Sequence, residues 1–189
     1  LLLLAGGLDS LLAGKLLEEQ GVEIAGLTFE SVFFEPARAI VAAEKLNWPL
    51  ILVEITEEEI ELIEHPRYGY GRNLNPCIDC HGQMVRLATG LLPRYQADFI
   101  STGEVLGERP KSQNRQSLGL VEKLSAAKGL LLRPLSALLL PPTRAEELGL
   151  VNREKLLDLT GRSRQRQIEL AEHYGLTDYP TPSGGCLLT

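Results

Sequence analysis

Short apolar runs of strand length recur at 1–5 (LLLLA), 22–29 (VEIAGLTF), 50–55 (LILVEI), 98–102 (DFIST) and 130–133 (LLLR), with helix-period stretches between them. Strand and helix in alternation close as a parallel sheet, because parallel neighbours need a crossover and a helix supplies it. Near-continuously apolar strands are covered on both sides. The expected fold class is therefore α/β, an open parallel sheet with helices on both faces.

The first helix is expected over 8–20, with Leu8, Leu11, Leu12, Lys15 and Leu16 on one stripe and Gly21 as its stop. A second spans 35–46, with Pro36 in its first turn and Asn47-Trp48-Pro49 closing it. A third starts at Asn75-Pro76 and runs to about 95, with a break at Pro93. After Pro134 the texture changes to Pro-Pro, short helical stretches at 144–148, 153–159 and 163–174, and a turn-rich tail. The chain divides into a sheet domain over 1–140 and a small C-terminal helical annex over 141–189, packed as one unit. At 189 residues and 44% hydrophobic, it suffices for one well-filled core.

A net charge of −6 argues against coating nucleic acid by bulk attraction, while leaving room for a local basic patch. Leu1 to Leu4 lack the basic flank of a secretion signal, and the run breaks at Gly6 and Asp9. The Leu-rich stretch 130–142 is interrupted by Arg133, Pro134, Pro141 and Pro142, well short of the roughly 20 apolar residues of a membrane span. The expected setting is cytoplasmic, with no membrane partner.

The chemistry begins at "AGGLDS", residues 5–10. A strand, a glycine pair and Asp-Ser at a helix start present backbone N–H groups and the positive end of a helix dipole to an anion. The Walker spacing fails, since Asp9 stands five before Gly14 and Leu16 follows Lys15, and the pattern G-x-G-x-x-G is absent. A bare strand-to-helix turn is the bland alternative. Asp9 and Ser10, poor helix formers but good anion or metal partners, weigh against it.

Of the three cysteines, Cys77 and Cys80 sit as C-x-x-C in "NPCIDCH". They occupy one face of a helical first turn, where the dipole favours thiolates. Cys186 follows Gly184 and Gly185, which permit close backbone approach. Three thiolates leave one position open on a four-coordinate metal or on one iron of a cubane. Four readings stand at this point. They are a structural zinc with His81 as fourth ligand, a persulfide relay between Cys186 and one of the pair, a [4Fe-4S] cluster on all three, and three unrelated buried thiols. His65, His81 and His173 have no metal spacing among themselves and receive no catalytic role.

"AGGLDS" resembles the S-G-G-x-D-S loop of the PP-loop ATP pyrophosphatases, with Ala5 where that family has Ser. Combined with "NPCIDCH", "STGEVLGERP", "RPLS" and "GGCLLT", the resemblance extends over nearly the whole chain to the tRNA-uridine thiolases, including the 4-thiouridine and 2-thiouridine synthases and their cluster-dependent relatives. It implies an ATP-dependent transferase that adenylates a uracil carbonyl and replaces its oxygen by sulfur. It implies ATP held by Ala5, Gly6, Gly7, Leu8, Asp9 and Ser10 with Thr28, Gly103 and Arg133, and Mg²⁺ offsetting charge at Asp9. The catalytic set is Asp9, Cys77, Cys80 and Cys186, with the three cysteines as [4Fe-4S] ligands and zinc or no metal as the alternatives. The implied partners are tRNA, a sulfur donor (inorganic sulfide or a persulfide or sulfur-carrier protein) and a second copy in a homodimer.

Two further readings come from the residues. "GERPKSQNRQ" is expected to be a mobile loop offering Arg109, Lys111 and Arg115 to RNA or adenylate. "GRSRQRQ", with Arg162, Arg164 and Arg166, is expected to be a solvated helix face more than an RNA patch. Two other functions compete with thiolation: adenylation or sulfuration of a small molecule on the same fold, and a non-catalytic metal-binding module.

Overall fold

The computed structural model of the chain describes residues 1–71, 75–180 and 186–188. Five parallel strands form one sheet in the order β3-β2-β1-β4-β5: β1 Leu2–Leu3, β2 Gly26–Glu30, β3 Leu50–Glu54, β4 Ile100–Ser101 and β5 Leu131–Leu132. The helices are α1 Leu8–Glu18, α2 Ala37–Leu46, α3 Thr56–Glu64, α4 Cys77–Leu91, α5 Arg115–Ser125, α6 Arg144–Glu147 and α7 Gln165–His173. The α/β class and the covered parallel sheet hold.

Alternation along the strands sorts the core into two layers. Leu2, Leu4 and Leu132 join α1, α2 and Trp48 on one face. Ala145, Val151, Leu156, Leu159 and Ala171 complete that face, so the C-terminal segment shares the core of the sheet. Leu27, Phe29, Ile100 and Leu131 face the other way, onto Ile78, Val85 and Ala88 of α4 and Val121 of α5. Among the described residues no helix is long and apolar enough to cross a membrane.

Several elements differ from the sequence reading. Strands contract to their hydrogen-bonded centres, so residues 22–25 precede β2 rather than belong to it. The single stripe expected on α1 is replaced by burial on nearly all sides, because α2, the sheet and α7 enclose the helix and Ser10, Ala13, Gly14 and Leu17 are buried with the leucines. Helices α3 and α5 were not anticipated, their amphipathic patterns being masked by glutamates in one and a polar entry in the other. The region 107–116, expected as a loop, is a folded entry to α5. Ser112 and Gln113 are buried, Gln113 accepts from the Arg109 N–H at 3.1 Å, and Asn114 caps α5 by accepting from the Ser117 N–H at 2.9 Å.

Order β3-β2-β1-β4-β5 makes β1 the strand at which the winding direction reverses. Loops after β1 and β4 leave in opposite directions and open a crevice at the carboxyl ends of these strands. The glycine loop follows β1 and Gly103 follows β4, so both border it.

Gly14 marks the tightest packing of α1. A methyl group there would stand 2.3 Å from the Trp48 ring and 2.8 Å from Leu2 Cδ2. Gly14→Ala is expected to lower unfolding stability by about 1–3 kcal/mol through overpacking. Gly119→Ala, on an α5 position with nothing within 4 Å, is expected to raise it by about 0.5–1 kcal/mol. Urea unfolding of the two variants beside the parent checks both signs.

Candidate active site

The glycine loop is held open by its backbone. Gly6 takes φ +70°, and a side chain there would strike the Arg38 carbonyl at 2.5 Å, so α2 packs directly on the loop. Gly7 is the N-cap of α1 and no side chain caps that helix. Ser10 turns its hydroxyl inward to donate to the Gly7 carbonyl at 2.8 Å, and the Thr28 hydroxyl donates to the Leu4 carbonyl. Both brace the loop from beneath. Ala5 is exposed and Leu8 is buried in the core. Gly103 presses from the other side, where a Cβ would lie 2.4 Å from the backbone of Asp9 and Ser10.

Asp9 is the loop's charged group. Burial pushes its carboxyl above the ordinary range, and the positive charges of Arg164 and Arg109 oppose that push. Arg164 Nη2 stands 3.2 and 3.3 Å from the two carboxylate oxygens. Glu108 is also raised, by burial and by Asp9, with Arg164 and Arg109 opposing. Arg109 therefore belongs electrostatically to this pocket. Lys111 donates to the Gly69 carbonyl at 3.3 Å and Arg115 to the Leu139 carbonyl at 3.0 Å, so these two engage the protein's own backbone.

Arg133, expected on phosphate, lies in the interior at 3% exposure. Its Nε donates to Glu104 at 2.8 Å and its Nη1 to Glu122 at 3.0 Å, so its charge is matched within the core. Burial pushes Glu104 up, yet Arg133 and His81 overcome it and hold the carboxyl down at about 2. His81 Nδ1 meets the other Glu104 oxygen at 3.0 Å.

That contact leads to the cysteines, since His81 follows Cys80 at the start of α4. The three cysteines lie near one another: Cys77 acts on the ionisation of both Cys80 and Cys186, and Cys186 on that of Cys80. Cys186 is set against the loop after β2, where the Leu187 N–H donates to the Phe33 carbonyl at 2.9 Å. Gly184 and Gly185 lie outside the described residues. Hydrogen bonds reach two of the sulfurs, from Asn75 Nδ2 to Cys77 at 3.0 Å and from the Leu188 N–H to Cys186 at 3.4 Å. Asp79 between the pair turns away to accept from the Tyr68 N–H at 2.9 Å. Among the described residues no three His, Cys, Asp or Glu side chains stand close enough to grip a single ion.

The thiolate expected from the helix dipole is not what Cys80 favours, and the Cys186 thiol is shifted the same way. Burial raises both thiols, and at Cys80 the Glu59 carboxylate adds to it. Glu59, from α3, is 1% exposed, hydrogen-bonds the Cys80 thiol and leaves Oε2 with no partner. Sequence reasoning missed it because it sits in a run of glutamates, "TEEEIELIE", whose exposed members hide the buried one. It missed Arg164 by assigning the arginine cluster to solvent, which is true of Arg166 in its exposed pair with Asp158.

No family model matches the chain. It is 31% identical over 121 residues to a tRNA-specific 2-thiouridylase MnmA of Sulfurimonas denitrificans, covering 56% of this chain and 34% of that protein. It is 29% identical over 147 residues to a probable tRNA sulfurtransferase of Clostridium kluyveri, covering 73% and 36%. Among solved structures, a 4-thiouridine synthetase in complex with RNA and bound ATP superposes with a TM-score of 0.59 at 23% identity, over 93% of this chain and 40% of that one. The curated relatives carry the names of tRNA-thiolating enzymes, and the chain has the fold of that synthetase. A predicted subunit of tRNA methyltransferase from Methanocaldococcus jannaschii has the same fold, with a TM-score of 0.55 at 14% identity, over 90% of this chain and 73% of that one. The chain spans about a third of the length of the curated relatives it matches.

The Glu104 pairing sets an acid limit on the site. A carboxyl held at about 2 when folded, against 4.5 ordinarily, contributes stability that is fully present above pH 4.5 and is lost as pH falls toward 2. Glu104→Gln is expected to cost about 3 kcal/mol at pH 7 by unbalancing buried Arg133. The difference from the parent is expected to shrink on going to pH 3, measured by urea unfolding at both pH values.

Proposed function

We propose that this chain carries the ATP-binding and sulfur-transferring chemistry of a tRNA-uridine thiolase. The observation that carries the reading is the meeting of two sites through one contact. His81, next to Cys80, touches Glu104, and Glu104 follows the Gly103 that is pressed against Asp9. An activated carbonyl formed at the loop would thus lie toward the sulfur-bearing residues. The names of the relatives point the same way.

In this reading the uracil carbonyl oxygen attacks the α-phosphorus of ATP and pyrophosphate leaves. A sulfur nucleophile then adds to the activated carbon and expels AMP. The loop's backbone N–H groups and the α1 dipole hold the departing pyrophosphate, where donors fixed in advance stabilise developing charge. Asp9 fits a Mg²⁺ ion accompanying the phosphates. Ala5 contributes only its backbone where the resembled loop has a hydroxyl. The reaction belongs in the cytoplasm, where tRNA is found, with sulfide or a carrier protein as sulfur donor.

The donor set fits a [4Fe-4S] cluster on Cys77, Cys80 and Cys186. Three cysteines, two from the first turn of α4 and one from the C-terminal segment, are the donor set of a cubane with one open iron, and two of the sulfurs already accept the hydrogen bonds that tune such clusters. Buried, half-partnered Glu59 is a polar group in want of a neighbour on the same side. When bound, such a cluster supplies an iron left open by three thiolates, a place for sulfur. Asn75, Glu59 and the Leu188 N–H shape the surroundings of the thiols.

Anaerobic preparations are expected to hold about four irons per chain, with sulfide, and to lose them in Cys77→Ala, Cys80→Ala and Cys186→Ala. Iron-free anaerobic protein overturns the cluster. Asp9→Asn is expected to reduce tRNA-dependent pyrophosphate release by about 10²-fold or more, as removal of a charge-stabilising group does. Equal rates in parent and variant overturn the role given to Asp9. Retention of tRNA that weakens as salt rises separates an RNA substrate from a small molecule.

A further inference from the structure

We propose that the first turn of α7 is a second wall of the pyrophosphate site, with Arg164 and Gln167 as ligands for the phosphates of a nucleoside triphosphate. The inference rests on the ATP reading above and goes beyond it, since neither residue belongs to the glycine loop or to the motifs that resemble the thiolases.

Arg164 is 17% exposed at its side chain and is held against both oxygens of Asp9, while its Nε stands 3.8 Å from Glu108. A guanidinium fork of this kind suits phosphate as well as carboxylate. It therefore stands where, on the ATP reading, the negative end of ATP would arrive.

Gln167 supplies the independent observation. It lies three residues on, on the same side of α7, and is 1% exposed. Its Nε2 has no partner within hydrogen-bond geometry, while the side chain lies close enough to Asp9 to help draw that carboxyl down. A buried donor left without a well-aligned acceptor does not recover its desolvation cost, so such groups are kept where something satisfies them. A phosphate, with oxygens on several sides, can accept from Gln167 and pair with Arg164 together, which one carboxylate locked on Arg164 does not.

The placement is fixed rather than incidental. Gly161 N–H donates to the Leu106 carbonyl at 2.8 Å and the Thr160 hydroxyl to the same carbonyl at 2.9 Å, tying the approach to α7 to the segment after Gly103. Ala171 and Tyr174 pack α7 into the core beside α1. On binding, phosphate oxygens displace Asp9 from the guanidinium. The annex then reads the nucleotide directly instead of merely covering the sheet.

The test is calorimetric titration of the whole chain with Mg²⁺-ATP, Mg²⁺-pyrophosphate and AMP, for the parent, Arg164→Ala, Arg164→Lys and Gln167→Leu. Expected is a loss of at least tenfold in affinity for ATP and pyrophosphate in Arg164→Ala, part of it recovered in Arg164→Lys, and a several-fold loss in Gln167→Leu. Affinity for AMP stays within about twofold. Should Arg164→Ala fail to fold, the lysine and leucine variants carry the test, with thermal unfolding as the check on their integrity. Undiminished pyrophosphate affinity in folded variants, or equal losses for AMP and pyrophosphate, overturns the inference while leaving the ATP reading intact. A parent that binds neither ATP nor pyrophosphate overturns the ATP reading itself.

Discussion

Glu104 is the residue on which the site's geometry depends. Arg133 brings the end of β5 to it, Glu122 binds the same arginine from α5, and His81 arrives from the first turn of α4. Arg133 and His81, from elements on either side of it in the sequence, thus meet on one buried carboxylate, and Glu122 joins them through Arg133. Such a cluster is weak evidence for stability, because desolvation offsets much of the attraction, but it is intolerant of losing a member. Its consequence is positional: it fixes the chain immediately after Gly103, and Gly103 in turn fixes the backbone of Asp9 and Ser10.

The order of elements was legible because hydrophobic period is local. Each strand centre fell within the apolar run that announced it, and the caps at Gly7, Pro36 and Pro76 lie within a residue or two of the turn chemistry that foretold them. What stayed hidden depends on pairing across the chain. Nothing local distinguishes Glu59 from the exposed glutamates beside it, or Arg164 from Arg166, since burial of one and exposure of the other is decided by α4 and α1 respectively. Arg133 illustrates the converse error. A basic residue at a strand end reads as a free cation, and only the sheet order shows Glu104 on the neighbouring strand's exit waiting for it.

The cysteines show why local electrostatics alone misjudges reactivity. A helix N-terminus lowers a thiol's pKa only while the charged form can be solvated. At Cys80, burial and a neighbouring carboxylate reverse the sign and favour the protonated thiol. Any positive centre brought among the three sulfurs inverts that balance, because it repays desolvation for the thiolates and for Glu59 together.

That logic is repeated at the glycine loop with the signs exchanged. Asp9 and Glu108 would repel an incoming triphosphate, and a chain of net charge −6 offers no general attraction to offset them. Two guanidiniums, Arg109 and Arg164, act on both carboxylates and make the pocket close to neutral before the ligand arrives. A pocket so balanced holds cationic groups that can turn from carboxylate to phosphate. Arg164 comes from α7, so exchanging its partner couples the C-terminal segment to occupancy of a loop at the other end of the sequence.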